Sequence, residues 1–188
     1  MAHITTLSGS LRAGSYNRML ASWIASGLRD LGHEVTELDA REHQMPVFDE
    51  DLESSQGTPD SVARVHEAFR NADALVLVTP EYNGSLSAYM KNAIDWVTRP
   101  MGEHAALSAI TGKRALLGSA SMGGLGGIRA LMHFQVVMGG LGMHVFPQFV
   151  SVGSVQNAFD NAGNVSNEGA LERCGGTVRG FGEMLSGF

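Results

Sequence analysis

Three short stretches of this sequence combine small hydroxylated residues and glycine with a side chain able to grip an anion or face a planar ring. The first is Gly9-Ser10-Leu11-Arg12-Ala13-Gly14-Ser15-Tyr16, set between the β-branched run Ile4-Thr5-Thr6-Leu7 and a run from Asn17 with apolar residues at helical spacing. A turn from strand to helix aims free backbone N–H groups and the positive end of the helix dipole at whatever lies before it. Ser10, Ser15 and Asn17 add neutral donors, and the planar guanidinium of Arg12 can hold an oxyanion with two parallel hydrogen bonds. The chemistry implied is phosphate binding. No Lys-Ser or Lys-Thr follows the glycines, so the lysine and magnesium ligand of a triphosphate loop are missing, and Gly-x-Gly-x-x-Gly is absent as well. A terminal monophosphate suits this loop better. Read alone, the same residues also make an ordinary turn with Ser15 as a helix N-cap.

The second stretch, Pro80-Glu81-Tyr82-Asn83-Gly84-Ser85-Leu86-Ser87, offers a flat side chain and close backbone donors. Tyr82 could lie against a planar ring, and the N–H groups of Asn83 and Gly84 could reach ring heteroatoms. In isolation it is also a plain Asn-Gly turn. The third, Ser119 to Gly127, pairs Ser119 with Gly123-Gly124, where backbone can approach a ligand closely; a simple glycine-rich turn is the alternative.

The elements that must position these loops alternate strand and helix. Glu34 to Leu38 alternates polar and apolar residues, as an edge strand does, and Asp60 to Asn71 reads as an amphipathic helix. Ala74 to Thr79 is a continuous apolar run, the mark of a strand covered on both faces. Ala88 to Val97 reads as a helix, Arg114 to Ser119 as a central strand, and a further helix opens after the third loop and runs to about Gly139. Val145 to Val150 closes the sheet, with Pro147 marking an edge or bulge. A last helix is expected over Glu168 to Leu185, weakened by Gly175-Gly176. Asp39 to Pro59 reads as a long polar loop, of a length often tied to function. The fold class predicted is α/β: a doubly wound five-stranded parallel sheet in a three-layer sandwich, forming one domain over residues 1–188. In such sheets ligands bind beyond the carboxyl ends of the strands, where all three loops fall.

Bulk properties narrow the partners. Net charge is −6 with no block of Lys or Arg, which argues against nucleic acid and anionic membranes and makes any anion site local. A single cysteine, Cys174, excludes an intrachain disulfide and suits a reducing compartment; it reads as buried or inert. With no signal peptide or membrane span legible, a cytoplasmic location is expected. The seven histidines show no two-ligand helical spacing, so no metal site is expected, and no Gly-x-Ser-x-Gly elbow is present. Ile128 to Met138 is apolar over most of its circumference. One face of that helix would meet the sheet and the other a second subunit.

Gly9 to Asn17 together with Thr79-Pro80-Glu81-Tyr82-Asn83-Gly84-Ser85 and Lys91-Asn92-Ala93-Ile94-Asp95-Trp96 resembles the NAD(P)H-dependent FMN reductase family, with its quinone, chromate and azo reductase relatives. The likeness covers about residues 3 to 150, and Ser119 to Gly127 with Arg129 is similar to the family's third segment. It implies a flavodoxin-like fold, independently consistent with the sheet reading. It also implies FMN as cofactor, with Ser10, Arg12, Ser15, Tyr16 and Asn17 around the phosphate. Pro80, Glu81, Tyr82 and Asn83 would line the isoalloxazine, and Ser119, Gly123 and Gly124 would approach its pyrimidine side or the ribityl chain. Met122 and Ala88 depart from the proline and glycine that many relatives carry there. The implied activity is ping-pong, two-electron transfer from NADH or NADPH to a small-molecule acceptor such as a quinone, flavin, azo compound or chromate. No catalytic side-chain acid or base is nominated. Relatives form homodimers or homotetramers. The alternative from another class is a non-enzymatic flavodoxin-type electron carrier.

Overall fold

The computed structural model describes residues 1–160 and 162–187. Chain order gives β1 (His3–Ser8), α1 (Tyr16–Asp30), β2 (Glu34–Leu38), α2 (Glu50–Gln56), α3 (Asp60–Asn71), β3 (Ala74–Val78), β4 (Glu81–Tyr82), β5 (Ser85–Leu86) and α4 (Ala88–Val97). These are followed by β6 (Arg114–Ala120), α5 (Ile128–Gly140), β7 (His144–Val145), β8 (Val150–Val152) and α6 (Glu172–Ser186). The main sheet runs β2-β1-β3-β6-β7, with β8 also paired to β6, and every pairing in it is parallel.

Parallel strands need crossovers, and helices cover both faces of the sheet. Ile4, Val76, Val78 and Leu116 point to the side where α1 brings Leu20, Ile24 and Leu28 and α6 brings Val178 and Phe181. Leu7, Leu75, Leu77 and Leu117 point the other way, onto Phe69 of α3, Ile94 of α4 and Phe134 of α5. Burial on both faces is why β3 reads Ala-Leu-Val-Leu-Val without a polar break. This is the doubly wound three-layer sandwich expected.

Four local expectations change. The fifth strand position holds two short pieces, β7 and β8, because Pro147 between them cannot donate to the ladder. The second loop forms a hairpin, β4–β5, around Asn83 and Gly84, whose φ values of 52° and 78° suit a tight two-residue turn. The long polar segment contains α2, started by Asp49, whose carboxylate accepts the Asp51 and Leu52 N–H groups. The last helix begins only at Glu172, after a single 3-10 turn over Glu168–Ala170, and continues through Gly175-Gly176.

That long segment is a strap fastened to one stripe of α4. Tyr89 Oη donates to the His43 carbonyl (2.9 Å), and Asn92 donates to the Pro46 carbonyl while accepting the Phe48 N–H, both at 2.8 Å. Trp96 Nε1 donates to the same Pro46 carbonyl (2.8 Å), and Arg99 reaches Glu53 at 2.8 Å. Among the described residues no helix is long and apolar enough to cross a membrane.

Candidate functional site

The carboxyl ends of β1, β3 and β6 lie side by side, and the three loops that leave them meet over a cleft. Its walls are Ser10, Arg12, Ser15, Tyr16 and Asn17 from the first, Pro80, Glu81 and Tyr82 from the second, and Ala120, Ser121 and Met122 from the third. Its volume is about 150 Å³, below the several hundred Å³ of an enclosing ligand site. Larger grooves around Trp23, between α1 and α6, lie away from these strand ends.

The first loop keeps its donors free for an anion. Ser15 is the N-cap of α1, its Oγ accepting the Arg18 N–H at 3.3 Å, as the turn-and-cap reading anticipates. Capping uses an acceptor lone pair of Ser15, so its O–H remains available, as do the Tyr16 and Asn17 N–H groups, which have no intrahelical acceptor. Ser10 is buried in the wall of the cleft, and Arg12 is exposed at its rim, donating to the Gly14 carbonyl (3.3 Å). Arg18 braces the loop from behind, bonded to the Ala13 carbonyl and to Asp39 (3.2 Å). Two hydroxyls, two backbone donors and one uncommitted guanidinium fit a phosphate monoester.

Several polar side chains of these loops also tie the loops to one another. The Asn17 amide donates to the Ala120 carbonyl and accepts the Ala120 N–H, both at 2.9 Å, across 103 residues of sequence. This fixes the first loop to the third. Ser87, the N-cap of α4, donates to the Gly9 carbonyl (2.7 Å), and its N–H donates to Thr79 Oγ1 (3.0 Å), fixing the second loop to the first. A side chain at Gly9 would have its Cβ 2.6 Å from Ser87 Oγ and 2.8 Å from Met90 Cβ, so only glycine allows that contact.

Glu81 closes the ring between second and third loops. Its carboxylate accepts the backbone N–H groups of Arg129 (3.1 Å) and Ala130 (3.3 Å), and pairs with the Arg129 guanidinium, Nε at 2.7 Å. Gly127, the N-cap of α5, has no side chain to cap the helix, and Glu81 supplies the missing acceptor from 48 residues away. Burial works against its charge, but the bonds from Arg129 and Ala130 outweigh that, so its acid is stronger than an ordinary glutamic acid.

The third loop places its residues differently from expectation. Ser119 is fully buried, and its Oγ lies beneath Gly127, where any Cβ would overlap it; among the described residues the hydroxyl has no hydrogen-bond partner, and it does not line the cleft. Gly123 accepts the Ser154 N–H (3.1 Å), and Gly124 backs against Gly153, so both glycines face the chain after β8. Ala120, Ser121 and Met122 take the wall in their place. Asn83, at the hairpin tip, is exposed and outside the cleft. Tyr82, half exposed, lines the cleft. Sequence reasoning missed Ser87 and the partnering role of Arg129. Ser87 carries a legible signal as a serine directly before a helix, whereas the Glu81–Arg129 pairing depends on a fold that brings distant loops together.

A parallel doubly wound sheet whose loops meet beyond its strand ends defines a flavodoxin-like α/β protein. Residues 2–157 match the model of the NADPH-dependent FMN reductase family. The chain is 36% identical to a quinone reductase of Escherichia coli over 185 residues, covering 97% of this chain and 94% of that one. It is 39% identical to an NAD(P)H-dependent FMN reductase of Pseudomonas aeruginosa over 168 residues, 88% of this chain and 85% of the relative. Among solved structures, the flavoenzyme NAD(P)H:(acceptor) oxidoreductase FerB from Paracoccus denitrificans superposes with a TM-score of 0.75 at 27% identity, covering 97% of this chain and 96% of that one. The chain belongs to the NADPH-dependent FMN reductase family. It is a flavin-dependent oxidoreductase that takes its electrons from NAD(P)H.

Proposed function

We propose that the whole chain acts as one FMN-binding domain that reduces quinones and related planar acceptors. The observation that carries this reading is the mutual fastening of three loops around one shallow cleft with uncommitted phosphate donors at one end. The names of its relatives, quinone reductase and NAD(P)H-dependent FMN reductase, support an enzyme over an electron carrier. Bound FMN would supply the redox chemistry, accepting a hydride from the nicotinamide and passing electrons to the acceptor.

The residues of the chain would do the positioning. Ser10, Ser15, Arg12 and the first N–H groups of α1 would hold the phosphate, with Tyr82 and Met122 available to the ring. Nicotinamide and acceptor would use the same site in turn, which would give ping-pong kinetics. The test is anaerobic rapid mixing of the FMN-loaded protein with NADPH or NADH, followed by a quinone. Bleaching of the flavin band by the nucleotide and its recovery on adding quinone are expected; a loaded protein that neither nucleotide bleaches would refute the reading.

Assembly belongs to the same proposal. α5 buries Leu131 and Phe134 toward the sheet, while Met132 and Val136 stand 57% and 76% exposed on its outer face. Two large apolar residues so uncovered suit a contact between copies in a cytoplasmic homodimer or homotetramer. Met132→Glu with Val136→Glu should reduce the mass seen by light scattering to that of one chain.

A further inference from the structure

Glu81 and Arg129 stand apart from the other ties between the loops because they pair opposite charges, with Glu81 in the wall of the cleft. The Glu81 side chain is 8% exposed and lines the cleft, whereas Arg129 is 61% exposed on its outer side. The carboxylate accepts two backbone N–H groups at the start of α5 and pairs with the guanidinium of the same turn. The anion is thus neutralised twice, by the helix end and by the cation. We propose that Glu81 and Arg129 are positioning residues that set the charge beside the flavin ring, so that together they fix how readily the bound flavin is reduced. The inference rests on FMN occupying the three-loop cleft.

The physical reason is simple. Reduction adds electron density to the ring, and a nearby uncompensated anion opposes it while an uncompensated cation favours it. With the pair intact, neither charge acts alone. The neutral amide of Glu81→Gln keeps an oxygen that can accept the Arg129 and Ala130 N–H groups, so the loop stays fastened while Arg129 becomes unopposed. Arg129→Met keeps the length of the side chain and leaves the Glu81 carboxylate capping the helix without its cation.

The two variants therefore have opposite signatures, which a purely structural fastening would not produce. The experiment measures FMN binding by fluorescence titration of wild type, E81Q, R129M and R129K, and then the midpoint potential of each loaded protein by dye-coupled reduction. E81Q should shift the potential positive, R129M should shift it negative, and R129K, which retains the charge, should return it toward wild type. Equal potentials across the set, or shifts of the same sign in E81Q and R129M, would overturn the proposal. If E81Q or R129M does not fold, the other variant still tests the sign against wild type and R129K. A wild-type protein that fails to bind FMN would instead overturn the underlying placement of the cofactor, an outcome distinguishable at the titration step.

Discussion

Arg12 is exposed at the rim of the cleft and, among the described residues, is bonded only to the backbone of its own loop. Arg18, six positions on, is already held by Ala13 and Asp39 and does not compete for a ligand. Arg12→Ala should therefore weaken FMN binding by about 1.5 kcal/mol, the lower end for a charge-assisted bond at an exposed site. That is roughly tenfold in Kd, readable by titrating the apo protein with FMN. That Ser10, Arg12 and Ser15 share one cleft was legible because all three belong to a single strand–helix junction. Asn17, Glu81 and Ser119 have the same polar character, yet each has a different task in the fold. An amide, a carboxylate and a hydroxyl look alike in a sequence whether they face a ligand or another loop; only the tertiary partner distinguishes them.

The loops are tied in pairs by Ser87, Asn17 and Glu81, each side chain reaching backbone on a neighbouring element. Because Asn17 satisfies both polar groups of Ala120 in a buried setting, Asn17→Ala leaves an N–H and a C=O unpaired at the end of β6. A loss of about 2–4 kcal/mol in unfolding free energy is expected by urea titration, with FMN affinity falling as the first and third loops separate. The regular elements were the most legible part of the chain: α3 and α4 begin and end where periodicity placed them, since local pattern and packing agree there. The hairpin, the divided outer strand and α2 were not. Two-residue strands have too little pattern to read, and α2 has no buried residue to give it an apolar stripe.

Stability of the whole molecule should depend on pH through a group remote from the cleft. His66 of α3 is buried with its Nε2 unpartnered and stacks on His104, ring centroids 6.1 Å apart. Burial first, then the charges of His104 and Arg70, hold its imidazolium less stable than usual. Its folded pKa lies below the ordinary 6.5, so its contribution is intact above pH 6.5 and is lost as pH falls from there toward the lowered value. One proton gives a slope of at most about 1.4 kcal/mol per pH unit. Thermal unfolding measured from pH 7.5 downward should show a falling Tm in wild type and a flatter profile in His66→Phe. Asp39 acts at much lower pH: its bond to Arg41 leads in bringing its pKa from 3.8 to about 2, so its support is full above pH 3.8 and falls away as pH drops toward 2. At this scale the α/β class and the three-layer order were the firmest sequence readings, because a fully apolar β3 between amphipathic helices leaves few other topologies.

The proposed activity depends on a phosphate-anchored flavin in the three-loop cleft. The direct measurement is a paired titration of flavin-free protein with FMN and with riboflavin, which differ only in the phosphate, followed by the quenching of flavin fluorescence. FMN should bind saturably at one per chain and far more tightly than riboflavin, with Arg12→Ala narrowing the gap. Equal affinity for the two flavins, or no saturable binding of FMN, would contradict it.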